Sequence, residues 1–153
     1  MKKVITLLMV TILMVICLVG CSTHANVSYT YDVDTGDKVK ITMDVKDGYK
    51  MTSSLPIEFS KSDAVISQGT FGKADVYDMY MQLYNTTDDI KLLDQGVDES
   101  KGISYLFLEI KGVNTEYDYI IKINDSNTSF MLGNIVSEES AREIFNRLSF
   151  TVE

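Results

Sequence analysis

Histidine, tryptophan, proline, arginine and cysteine are nearly missing from this chain, and each scarcity removes a kind of chemistry. Among 153 residues stand one histidine (His24), no tryptophan, one proline (Pro56), two arginines (Arg142 and Arg147) and two cysteines (Cys17 and Cys21). A single histidine leaves no Ser-His-Asp or Cys-His arrangement, and no zinc site of the usual nitrogen and sulfur ligands. Basic charge is also short: 14 lysines and arginines face 22 acids, a formal net charge of −8. Such a surface repels phosphate backbones, so nucleic acid is excluded as a partner. Internal repeats, low-complexity tracts and a second-domain linker are absent, and the length suits one domain. Only carboxylate or lysine chemistry is left to an enzyme reading.

What is present begins with "MKKVITLLMVTILMVICLVGC". Lys2 and Lys3 form a positive start, and Val4 to Val19 follow without a charge. That run falls short of the roughly 20 residues a helix needs to cross the hydrocarbon core. A positive start, an apolar middle and a small residue near the end form the pattern of an export signal. A permanent membrane helix and cleavage by the general signal peptidase are the competing readings. The last four residues, Leu18, Val19, Gly20 and Cys21, resemble the lipobox of bacterial lipoproteins. The resemblance implies that the Cys21 thiol receives a diacylglycerol group and that cleavage falls between Gly20 and Cys21. Two acyl chains hold a protein on a bilayer stably, whereas one binds marginally.

The expected organisation is a cleaved signal over residues 1–20, a lipidated end and tether over 21–26, and one globular domain over 27–153. On this reading Cys17 leaves with the leader and Cys21 is spent on lipid, so neither disulfides nor thiol catalysis is expected. Loss of Lys2 and Lys3 takes the net charge from −8 to −10. The expected address is the extracytoplasmic face of a cell membrane.

Period-two alternation marks a first hairpin. In "VSYTYDVD", Val27, Tyr29, Tyr31 and Val33 share one face; in "KVKITMDVK", Val39, Ile41, Met43 and Val45 do the same. The turn between them carries Gly36. Lys50 to Pro56 reads as loop, "IEFS" as a short strand, and "AVISQGTF" as a strand broken near Gly69. "KADVYDMYMQLYN" fits helical and strand spacing alike, and its length without glycine or proline selects helix. "IKLLDQG", "GISYLFLEIKG", "YDYIIKIN" and "TSFMLGNIV" read as closely joined antiparallel strands. Ile103 to Ile110 is apolar on both faces and is expected in the middle of the sheet. "SEESAREIFNRL" is the clearest helix, with Ala141, Ile144, Phe145 and Leu148 on one face and Ser137 as its cap. "SFTVE" closes the chain as a strand.

The expected fold is therefore α+β, an antiparallel sheet of about six to eight strands with two helices packed on one side. Element order and the closing "AREIFNRLSFTV" resemble the PsbP-like fold. That resemblance implies a scaffold and no particular function.

Four residue groups invite a functional reading. In "DVDTGD", Asp32, Asp34 and Asp37 offer oxygen ligands for calcium, against a plain hairpin turn. Asp88, Asp89, Asp94, Asp98 and Glu99 form a second acidic group, against a solvated loop. Tyr77, Met79, Tyr80, Met81 and Tyr84, with Tyr29, Tyr31, Tyr117 and Tyr119 from the strands, offer an adaptable binding patch, against helix face and core. Ser53, Ser54 and Ser60 near Lys50 and Lys61 lack the S-x-x-K spacing of a serine–lysine dyad.

The expected function is a non-enzymatic, lipid-anchored binding or accessory module, with no cofactor and with an unknown protein or small ligand as partner. The alternatives are a self-protection lipoprotein that sequesters a toxin, bacteriocin or phage component, and a carboxylate-based enzyme.

Overall fold

The structure, a computed structural model, describes residues 25–153. The lipobox, Leu18 to Cys21, and the leader before it lie outside the described residues. Ten strands form two antiparallel sheets. Strands β1 (Asn26–Asp32) and β2 (Lys38–Asp44) make the expected hairpin, and β10 (Leu148–Val152) pairs with the free side of β2. The larger sheet holds β3 (Tyr49–Met51), β4 (Ile57–Lys61), β5 (Ala64–Lys73), β6 (Ile90–Asp98), β7 (Ile103–Lys111), β8 (Thr115–Ile123) and β9 (Thr128–Gly133). Its strand order is β3-β4-β5-β9-β8-β7-β6. Two helices complete the fold, α1 (Asp75–Leu83) and α2 (Glu138–Arg147).

Alternation builds the main core. Val39, Ile41 and Met43 point from the small sheet toward Phe107, Tyr119, Ile121, Phe130 and Leu132 of the large one. Phe130 and Phe150 meet across the gap with ring centroids 5.5 Å apart. Helix α2 fills the rest of this layer with Ala141, Ile144 and Phe145, and Phe145 stacks on Tyr119 at 4.0 Å. The Ser137 hydroxyl caps α2 by accepting from the Ser140 N–H at 3.1 Å, as its position predicts.

Five expectations need correction. The strands number ten in two sheets, not six to eight in one. Alternation marks the strands but not their partners, and β10 follows α2 without a loop and joins the small sheet. The helices do not share a side. Helix α1 lies on the outer face against Leu106, Leu108 and Ile120, whereas α2 lies on the inner face against Phe107 and Tyr119. The reason is β7 itself: apolar side chains on both its faces each require a cover. That double cover, rather than a central place, accounts for its composition, since β7 is the last but one strand of the sheet.

The remaining two corrections concern a glycine and a short strand. β5 runs unbroken through Gly69, because the Phe130 ring lies over that residue; a Cβ there would sit 2.1 Å from the ring. Glycine in a strand here permits a close approach. Overlapping the start of the loop expected over Lys50 to Pro56, Tyr49–Met51 pairs with β4 as a strand too short for periodicity to register.

Candidate functional site

The β1–β2 turn is held by Asp37. Its Oδ2 accepts from the Thr128 hydroxyl at 2.7 Å, the Asn127 N–H at 2.8 Å and the Thr35 hydroxyl at 3.3 Å. These bonds, the Thr128 hydroxyl first, hold the Asp37 carboxyl below the usual carboxylate range. Gly36 takes φ +91° to close the turn, a conformation that side chains resist. The turn is thereby riveted to the start of β9, more than 90 residues away in sequence.

A groove of about 340 Å³ lies between this turn and β5. The β1–β2 hairpin contributes Asp32, Asp34 and Thr35 to its lining, β5 contributes Phe71, Gly72 and Lys73, and the segment before β4 contributes Leu55. A second hollow shares Asp34, Thr35 and Lys73 and extends the groove to Asp75 and Asn127. Leu55 is exposed, so an apolar side chain and the Lys73 cation share the lining with Asp32 and Asp34.

The calcium reading of the turn does not survive the geometry. Asp37 spends an oxygen on three donors, and Asp32 pairs with Lys38 at 3.2 Å. Among the described residues no group of three or more His, Cys, Asp or Glu residues is placed to hold a metal ion. Asp34 remains as the carboxylate common to both hollows.

The second acidic group is dispersed. Asp94 pairs with Arg142 at 3.4 Å, linking β6 to α2. Asp98 organises the β6–β7 turn through the Ser100 hydroxyl at 2.6 Å and the Lys101 N–H at 3.1 Å, which lower its pKa. Asp88, Asp89 and Glu99 are exposed. No convergence on one point follows from these positions.

The tyrosine–methionine group is chiefly packing. Tyr77, Tyr80, Met81 and Tyr84 lie half-buried against Leu106, Leu108 and Ile120, and only Met79 of the five faces solvent. Tyr29 and Tyr117 border the main core, while Tyr31 and Tyr119 are buried in it. The serine–lysine reading fails as well. Lys50 pairs with Asp63 at 2.5 Å and Lys61 with Glu143 at 3.2 Å, while Ser53 and Ser54 are exposed.

Sequence reasoning passed over Asp118, which sits on the outer face of β8 in line with Ile120. Burial, with the nearby charge of Glu116 as a second cause, pushes its carboxyl up to about 7. A lone acid inside a strand otherwise needed for packing was its available signal. It also passed over Glu143, which accepts from the Tyr49 hydroxyl and fastens α2 to β3; the Arg147 guanidinium stacks on the same ring at 3.9 Å. No protein family, curated protein or solved structure matches the chain.

Proposed function

We propose that this chain is a lipid-anchored, extracytoplasmic binding module that takes a cationic ligand or partner in the groove beneath the β1–β2 turn. The observation that carries the reading is that groove, whose lining combines two acids, Asp32 and Asp34, and one cation, Lys73, with the apolar side chains of Phe71 and Leu55. Acids beside apolar side chains suit a ligand that combines positive charge with apolar surface. The groove rests on a rigid frame, because Asp37 locks the turn to β9 and β5 is an interior strand. The anchor rests on the lipobox resemblance at Leu18 to Cys21, and Cys21 is the residue proposed to carry the lipid.

The PsbP-like resemblance belongs with this proposal. Its support is the order of elements: a hairpin, short strands, a helix, an antiparallel meander, a helix and a last strand. Self-protection by capture of a cationic toxin or bacteriocin is the second reading, favoured by a net charge of −10 once Lys2 and Lys3 are removed.

Titration of the full chain with a panel of cationic peptides and polyamines tests the reading. The native protein is expected to bind members of the panel with an affinity that falls as salt rises. Asp34→Asn combined with Leu55→Ser weakens that binding if the groove is the site. Equal binding by the double variant removes the groove from the account.

A further inference from the structure

Two strands set an axis on the domain. β1 begins at Asn26, opposite Asp44, and ends at Asp32, opposite Lys38, where the turn carries the groove. Its seven residues rise about 20 Å between the two ends. At the entry end the Val45 N–H donates to the Ala25 carbonyl at 2.8 Å. Residues Lys46–Gly48 follow as a short helical turn, and the Arg147 guanidinium donates to the Asp44 and Lys46 carbonyls at 3.4 and 3.3 Å. β5 starts on this side too. The β4–β5 turn meets Gly48, whose carbonyl accepts from the Ser62 N–H at 3.2 Å, and β5 then runs to Lys73 in the groove. A further hollow of about 440 Å³, between Val65 and Ile135, flanks the first half of β5, away from the groove.

Cys21 precedes Ala25 by four residues, and an extended chain covers at most about 14 Å over that length. A lipid on Cys21 therefore ties the entry end to the bilayer surface and leaves the turn end free. Charge acts in the same sense. At the entry end Asp44 and Asp47 are matched in number by Lys46 and Arg147, and Arg147 reaches Asp47 at 3.1 Å. Around the turn Asp32, Asp34, Asp37 and Asp75 outnumber Lys38 and Lys73. An anionic leaflet thus repels the turn end more strongly than the entry end.

We propose that the domain stands upright on its anchor, the entry end of β1 against the bilayer and the groove turned outward, so that the groove takes a soluble cationic peptide. This pose deepens the binding-module reading, and it rests on the lipid proposed at Cys21. A groove at the entry end would lie among headgroups and compete for them. This one lies about 20 Å further out, beyond the roughly 8 Å over which surface charge acts at physiological salt.

Nitroxide labels on the full chain, held in phosphatidylcholine nanodiscs that carry a nickel-chelating lipid, test the pose. One variant is Asn26→Cys at the entry end. The other is Glu153→Cys, at the turn end, where the Glu153 N–H donates to the Lys38 carbonyl at 2.8 Å. Both positions are exposed. Nickel is expected to relax the label at position 26 about tenfold faster than the label at position 153, given the separation of about 20 Å. Equal relaxation, or faster relaxation at position 153, overturns the pose. Labelling stoichiometry reports the anchor separately. A processed, acylated chain takes one label, whereas a chain that keeps Cys17 and Cys21 as thiols takes up to three and removes anchor and pose together. Capped tetralysine is expected to bind the chain equally well on discs and in detergent micelles. Affinity lost on discs overturns the outward groove, and no binding in either medium removes the groove reading while the labels still decide the pose.

Discussion

Asp118 shows how one side chain couples the fold to pH. Its carboxyl is raised from 3.8 to about 7 by burial first and by Glu116 second. The folded state therefore holds this proton more tightly than the unfolded state does. The stabilising proton is retained below the unfolded pKa, and its benefit is lost as pH rises through the folded value. A shift of this size corresponds to roughly 4 kcal/mol as an upper bound. Thermal melts from pH 4 to pH 8 should show the native protein losing stability toward pH 8. Asp118→Asn should flatten that slope and raise Tm at pH 8; a variant with an unchanged slope would show that another group dominates. Asp37 shifts in the opposite direction because donors surround it, so two aspartates on one domain answer pH with opposite signs. Neither behaviour was legible in the sequence. Asp37 sits in a turn, where it reads as a turn residue or an oxygen ligand, and Asp118 sits in a strand, where a lone acid reads as a wet-face residue; only the neighbours supplied by distant strands set their opposite behaviour.

At the scale of elements, what was readable depended on local pattern. The β1–β2 hairpin, the antiparallel run from β6 to β9 and helix α2 all carry periodicity and turn or cap residues of their own. Helix α1 was separated from a strand by length. β3 is three residues long and leaves no period to count. The second sheet is a matter of pairing between β2 and β10, separated by most of the domain, and nothing local encodes it. Gly69 misled for a physical reason: glycine marks a break and a close approach equally well. Here the approach decides, because Phe130 is fully buried and occupies the space of the missing side chain. Gly69→Ala should therefore cost about 1–3 kcal/mol through overpacking. Urea denaturation measures it, and an unchanged midpoint would mean that the ring moves aside without penalty.

On the scale of the whole molecule, two sheets enclose one aromatic-rich core, and helices cover opposite faces of the larger sheet. The β1–β2 turn and the Val65–Ile135 hollow leave two concave surfaces bordered by acids. The sequence pointed to the first through "DVDTGD", read as a hairpin turn or a calcium loop. Asp37 proved to be a rivet, and Asp34 with Leu55 and Phe71 proved to frame a groove. The Val65–Ile135 hollow depends on Gly133, Glu116 and Gln68 meeting from three strands, and no spacing along the chain announces it. Among the described residues no helix is long and apolar enough to cross a membrane. Attachment through a lipid on Cys21 is our proposal for the chain before them. Mass spectrometry of the protein purified from its natural membrane tests that claim most directly. The account predicts a chain that starts at Cys21 and carries a diacylglycerol thioether. An intact, unacylated chain starting at Met1 would contradict it.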